Sequence, residues 1–329
     1  MRIVLDAMGT DEYPEPDVAG AVEAAREWGD DIILVGREDL IQPELDKHGT
    51  DGLPIEVVQA PDVIEMDDEP AWAAREKRES SMHVGMGLVK EGKADAYVTA
   101  GNTGGVLAVA TLYTLRRIRG VKRPALCAII PLPAGQILVL DTGANADCKP
   151  EYLEQFAMMG SIYAGAALNL DRPRVALLSN GEEPGKGNAL VKETYKRLEE
   201  SDLNFIGNVE PKEALQKDAD VVVHDGFAGN IFIKTIEATA KMLVGLLREE
   251  ITSGPITAIG GLLAKPAFSR TAKRVDPFEV GGAALLGVDG VVIVAHGRSN
   301  ARAIKNAIRQ ARQAVEGNVV EAIREGVQA

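Results

Sequence analysis

The sequence predicts an α/β protein, a three-layer α/β/α architecture around a mixed, mostly parallel sheet, with a helical hairpin protruding from it. Three observations carry that prediction. Short apolar runs that end in small polar loops alternate with helical patterns along nearly all of the 329 residues. That is how βα units cover a parallel sheet on both faces. Aromatic residues are only 4% of the chain against a hydrophobic share of 46%, and Ala, Val, Leu, Ile and Gly dominate, which suits strands buried on both sides. Finally, the apolar runs ALCAIIP and QILVLD are joined by the short turn LPAG. They pair as a hairpin, so the sheet is mixed.

The elements follow in order. RIVLDAM is a strand that ends in the loop GTDEYPEPD, and a helix runs from there to about Trp28. DIILVG and IEVVQA are strands, and the charged segment EMDDEPAWAAREKRESS precedes a helix from about Met82 to Glu91. DAYVTA leads into GNTGGV and a helix through Leu115. After the central hairpin the loop TGANADCKP opens a long helix, with Asp147 as its cap and Pro150 near the first helical position. RVALLSN, NFIGNV, DVVVHDG and GVVIVAHG are further strands, and two helices follow Arg298.

From Asn230 to about Ile251, apolar residues recur at helical spacing, SGP at 253–255 stops the helix, and a second short apolar helix follows. The chain reads as one catalytic unit over 1–329, two α/β lobes sharing one crevice, with 230–275 as a hairpin inserted in it. No repeat or low-complexity linker divides it.

Composition removes several function classes. A net charge of −13 argues against a general nucleic-acid partner, so an anionic ligand must meet a local basic patch. Two cysteines, Cys127 and Cys148, supply neither a disulfide framework nor a four-ligand zinc site. No apolar run reaches the roughly 18 residues of a membrane span, and Met1 leads directly into the first strand. A soluble intracellular protein is expected.

Chemistry is expected in the loops that close the strands, where ligands of doubly wound sheets collect. Asp141, Thr142, Asn145, Asp147 and Lys149 fall within nine residues of one such loop. Asn102, Thr103 and Gly104 follow DAYVTA, GEEPGKGN spans 181–188 with Lys186 and Asn188, and Asn230 follows DVVVHDG. These residue types hold phosphate through amides, carboxamides and a cation. Each also has a plain structural use, the asparagines in turns and Lys186 as a solvated lysine at a helix start.

Look-alike motifs fail on spacing. GEEPGKGN carries Gly187 where a P-loop needs Ser or Thr, and no GxGxxG opens a helix. No cofactor and no metal are therefore expected. His224 and His296 each end a strand and read as hydrogen-bonding groups rather than metal ligands. Cys148 reads as packing.

Two regions are basic. Residues 251–275 contain Lys265, Arg270, Lys273 and Arg274 with no acidic residue, beside Leu262 and Leu263. That combination fits a membrane surface, an acidic protein partner or a subunit interface. Arg116, Arg117, Arg119, Lys122 and Arg123 follow the helix after GNTGG and read as a solvated helix end.

The same residues resemble the PlsX family, the acyl-acyl-carrier-protein:phosphate acyltransferases of bacterial phospholipid synthesis. The resemblance runs through DAMGTD at 6–11, SSM at 80–82, AGNTGG at 100–105 and LDTGANADCKPEYLEQFAMMGS at 140–161. It continues through GEEPGKGN at 181–188, NFIGNVE at 204–210, HDGFAGN at 224–230 and AHGRSNARAIKNAI at 295–308. Thr10 departs from the glycine usual in DAMGGD, and Gly281-Gly282 stand where the family often has YGGAPLLG.

The resemblance implies an isopropylmalate-dehydrogenase-like fold shared with phosphate acetyltransferase, in a homodimer that is cytoplasmic and peripherally associated with the membrane. It implies that acyl carrier protein thioester and inorganic phosphate give acyl phosphate and free carrier protein. A membrane glycerol-3-phosphate acyltransferase would then take the acyl phosphate. A short-chain transferase using acyl-CoA is the alternative. On this reading Asn102, Asn145, Lys186 and Asn230 hold phosphate and the developing oxyanion. Asp225 or His296 orients phosphate or manages a proton, and Asp141 and Lys149 line the substrate site. Basic hairpin residues would steer the acidic carrier.

Overall fold

The computed structural model describes residues 1–274 and 276–328; Val275 and Ala329 lie outside it, as do the side chains of Ala272, Lys273 and Pro277. The expectation for Lys273 therefore falls outside the described residues.

One 11-stranded sheet organises the molecule. Its strands in chain order are β1 (Arg2–Asp6), β2 (Asp31–Gly36), β3 (Ile55–Gln59), β4 (Ala96–Thr99), β5 (Ala125–Leu132) and β6 (Gly135–Leu140). They continue with β7 (Val175–Leu178), β8 (Phe205–Val209), β9 (Val221–Val223), β10 (Gly282–Leu286) and β11 (Val291–Ala295). The spatial order is β3-β2-β1-β4-β11-β10-β5-β6-β9-β7-β8. β3, β2, β1, β4 and β11 are parallel to one another, as are β6, β9, β7 and β8. Between the two sets, β11–β10, β10–β5 and β5–β6 are antiparallel pairs. Three reversals in a row leave the two parallel sets pointing in opposite directions.

The expected hairpin of β5 and β6 is present in register from Cys127↔Leu140 to Leu132↔Gly135. β10 was not legible in the sequence. Its residues, GAALL, lack the β-branched and aromatic types that mark strands. Tertiary packing makes it a strand: Gly281, with φ 112°, lies so close to α11 (Ala301–Glu316) that a Cβ would come within 2.3 Å of the Ala307 amide nitrogen. Only glycine fits that approach.

Helices cover both faces. Ile3, Leu5, Leu138, Val175 and Val221 face α1 (Glu15–Trp28), α6 (Pro150–Leu168), α11 and α12 (Val319–Gln328), in one cluster whose members are nearly all solvent-free. α2 (Glu38–Leu45) and α7 (Ala189–Glu199) add Ile41 and Leu198 to it. On the other face Val4, Ile33, Tyr97 and Val292 pack under α3 (Pro70–Glu76), α4 (Ser81–Lys90) and α5 (Thr103–Ala108). There Val139, Ala176 and Val222 pack under α8 (Pro211–Leu215) and the start of α9 (Gly226–Thr252). Each buried Val, Leu or Ile contributes about 1.5–3 kcal/mol relative to exposure.

Three local expectations are corrected. The charged segment before α4 contains α3, begun by Pro70 and capped by Glu69, whose carboxylate accepts from the amides of Ala71 and Trp72. α6 does begin at Pro150, but its cap position is Lys149 and no side chain caps it, so Asp147 lacks the capping role. α5 ends at Ala108 and continues as a π turn over Val109–Tyr113.

The hairpin protrudes as expected. α9 carries 27 residues and α10 (Pro255–Arg274) 20, the latter longer than the short helix expected. A Cβ at Gly261 would come within 2.2 Å of Ile251, so the two helices meet closely near the tip. On either side of that contact along α10, Ile256, Leu262 and Leu263 are 85%, 69% and 78% exposed.

Candidate active site

Strand direction divides the candidate residues between two edges of the sheet. β1, β4 and β11 end on one edge, placing DAMGTD, Asn102, Thr103, Gly104 and His296 there. β6, β7 and β9 end on the other, which carries Asp141, Asn145, Lys149, Lys186, Asn188, Asp225 and Asn230. The single-crevice reading assumed that all these strand ends share one edge. In register Ile293 lies level with Ala284, Cys127 and Leu140, so β11 and β6 leave that row in opposite directions, and His296 and the Lys186 loop follow strands that point to opposite edges.

On the first edge most polar groups are already occupied. Asn102 Oδ1 accepts from the Gly105 amide and caps α5, while its Nδ2 donates to the carbonyls of Glu65, Met66 and Asp68. Asp6 accepts from Tyr97 Oη at 3.1 Å, Thr99 Oγ1 at 2.8 Å and the Met8 amide at 3.1 Å. Thr10 donates its hydroxyl to Asp17, so the departure from the family glycine has a partner in this chain. Burial raises the Asp6 and Asp17 carboxyls above the ordinary range, against the lowering effect of these hydrogen bonds. Thr103 and His296 are exposed, and His296 Nδ1 accepts from the Arg298 amide.

On the second edge the turn after β6 is built around a buried carboxylate. Asp141 Oδ1 accepts from the amides of Leu126, Gly143 and Ala144, and Oδ2 from both nitrogens of Asn145. Burial raises this carboxyl too, offset by those donors. With its oxygens taken and its charge opposed to phosphate, Asp141 shapes the turn rather than touching an anion. Asn145 Nδ2 also donates to Pro124 O at 2.8 Å, which joins the turn to the loop before β5.

Helix capping explains others. Asp225 Oδ1 accepts from the Ala228 amide at the start of α9, and Asn188 Oδ1 accepts from the Val191 amide at the start of α7. Asn230 Nδ2 donates to Thr142 O at 3.2 Å. At Gly229 a Cβ would fall within 2.2 Å of Asp141 O and 2.1 Å of the His224 ring, so only glycine lets α9 start against this turn. His224 is buried, which pushes its pKa down to about 4 and keeps it neutral. Lys149 and Lys186 are exposed and make no ion pair among the described residues. The Lys186 stem packs over Gly181 and its amide donates to Glu183 O.

Beside this turn lies a cavity of about 700 Å³. Its walls are residues 116–124, Leu107, Thr111 and Leu112 from the α5 segment, and Ala144, Asn145 and Tyr152. It holds the five cations assigned from sequence to a solvated helix end, and none of its lining residues is acidic. The sequence reading assigned this cluster no part in a cavity. The available signal was five cations within eight residues of a chain of charge −13. Both cysteines are poor nucleophiles: burial pushes Cys148 up to about 12 and Cys127 higher.

The comparisons with known proteins agree along the full length. The model of the "Fatty acid synthesis protein" family matches residues 1–322. A phosphate acyltransferase of Dictyoglomus turgidum is 50% identical, covering 99% of this chain and 98% of that protein. One from Clostridioides difficile is 45% identical, covering 99% and 96%. Among solved structures, a phosphotransacetylase from Streptococcus pyogenes aligns with a TM-score of 0.61 at 19% identity, over 96% of this chain and 94% of that one. A phosphotransacetylase from Staphylococcus aureus aligns at 0.60 and 20%, over 95% and 94%. At such identities these two establish the fold alone. The full-length likeness in sequence makes this chain a member of the phosphate acyltransferase family, of the PlsX type.

Proposed function

We propose that the protein transfers an acyl group from the thioester of an acyl carrier protein to inorganic phosphate, yielding acyl phosphate and the free carrier thiol. The observation that carries this reading is the second edge of the sheet. There Lys186 and Lys149 stand free, the cavity gathers five cations, and neither cysteine supplies a nucleophile. A phosphate oxygen attacks the thioester carbonyl, the carbon–sulfur bond breaks, and the thiolate leaves with little need of an acid. Lys186 offsets phosphate charge as the oxyanion develops. Asn230 and Asn145 hold the wall against which this happens. Asp225 sets the start of α9, and His296, on the other edge, has no part in the step.

The carrier, the homodimer and the membrane belong to the same proposal. Exposed Leu262 and Leu263, with Lys265 and Arg270, present apolar surface edged by cations, as a peripheral membrane contact requires. No described helix is long and apolar enough to cross a membrane. An acyl phosphate released there reaches a membrane glycerol-3-phosphate acyltransferase without crossing water.

The test is to mix protein, acyl carrier thioester and phosphate and to trap acyl hydroxamate. Hydroxamate from the carrier thioester and not from acetyl-CoA is the expected result. Formation from acetyl-CoA alone assigns the short-chain alternative, and none from either donor sinks the reading.

A further inference from the structure

The cavity beside the Asp141 turn has a size, charge and rigidity that point to a particular part of the donor. At about 700 Å³ it lies within the range of organic ligand pockets, roughly 300–1,000 Å³, and inorganic phosphate alone would leave most of it empty. Its cations are held from outside by backbone ties. The Ile118 amide donates to Gly287 O, the Asp289 amide to Arg116 O and the Lys122 amide to Gln155 Oε1, while Gln155 Nε2 donates to Gly120 O. Gly120, at φ 98°, sits where a Cβ would strike Val327 of α12 at 2.5 Å.

The cations are not equally available. Arg116 and Arg117 donate to the carbonyls of Leu112 and Lys122, and Lys122 pairs with Glu151 at 3.2 Å. Arg119 has no ion-pair or hydrogen-bond partner among the described residues, and Arg123 lies over the Tyr152 ring at 5.9 Å. Leu107 and Leu112 form an apolar strip beside them, with Leu112 54% exposed at the rim. Guanidinium groups without acidic partners bind phosphate oxygens in a fork. An apolar strip alongside suits an uncharged chain.

We propose that this cavity receives the phosphate-ester end of the organic arm that carries the donor's thiol, with Arg119 and Arg123 on the ester oxygens and Leu107 and Leu112 along the chain. This rests on the transfer proposed above. Inorganic phosphate, the second substrate, then belongs to the Lys186 loop and not to this cavity.

The test is direct binding to the intact wild-type protein of pantetheine 4′-phosphate and of pantetheine, by calorimetry. The phosphate form should bind at least tenfold more tightly. In the Arg119→Ala, Arg123→Ala double variant that difference should vanish, with circular dichroism and melting temperature unchanged; Arg119→Gln alone serves if the double variant does not fold. Equal binding of the two probes by the wild type overturns the proposal, as does a difference that persists in the variants. Displacement of the probe by an equimolar amount of inorganic phosphate also overturns it, since the cavity would then be the free ion's site. The hydroxamate assay on wild-type protein is independent of this measurement. Tight phosphate-dependent binding without hydroxamate removes the reaction and keeps the cavity.

Discussion

Two regions of this acidic protein combine cations with apolar side chains, and they do so with opposite curvature. Residues 116–124 fold inward against Asn145, Gln155 and α12 and enclose a cavity. The α9–α10 hairpin turns outward and leaves Ile256, Leu262 and Leu263 on a convex tip. The same two residue classes thus line an inward-facing cavity in one place and an open surface in the other. Backbone ties make the difference. The loop is tied to Gly287, Asp289 and Gln155, whereas the tip rests on its own helix pair.

The largest effect is expected at Lys186. If the edge with the cavity is the reacting one, Lys186→Ala lowers acyl-phosphate formation by about 10²-fold, as loss of an oxyanion-stabilising group does, with melting unchanged. Turnover near wild type would remove its role. The converse test is at the tip: Leu262→Glu with Leu263→Glu should abolish binding to anionic lipid vesicles while hydroxamate formation in solution stays within about twofold of wild type. Retained vesicle binding would mark the tip as a contact between protein copies instead.

Smaller effects sharpen the picture of the first edge and the core behind the site. Thr10→Gly leaves the buried Asp17 without its hydroxyl donor and should cost about 1–3 kcal/mol in urea unfolding. No loss would show that the buried acid needs no partner.

His224 gives a pH dependence. Its folded pKa of about 4 lies below the ordinary 6.5, so the unfolded chain binds the extra proton between those values. Its contribution to stability is complete above about pH 6.5 and falls away towards pH 4, reaching a loss on the order of 2 kcal/mol at pH 5. His224→Gln should flatten that part of the stability profile; an unchanged slope would locate the proton elsewhere.

Much of the fold was legible because its signals are local. Apolar runs such as IVLD and VVV, Pro150 opening α6, and SGP at the hairpin turn act within a few residues. The charged stretch over 70–76 concealed α3, whose cap is a glutamate rather than the usual Ser or Asn. The site was less legible. Asn102, Asn188 and Asp225 are the residue types of both phosphate sites and helix caps, and their side-chain oxygens turn out to be caps. The cations of 116–123 look like a solvated helix end until the π turn, the reversal at Arg116 (φ 74°) and α12 close them into a cavity.

By itself the sequence determined the alternation of strands and helices, the central hairpin, the protruding helix pair and the family. All of these are written in periodicity or in motifs of neighbouring residues. Tertiary structure alone decided which strand ends share an edge. That depends on β10, a weak strand by composition, entering between β11 and β5 and helping to reverse the direction of one half against the other. It separated His296 from Lys186 and placed Asn145 beside the arginines, because pairing direction is set by contacts between residues distant in the chain.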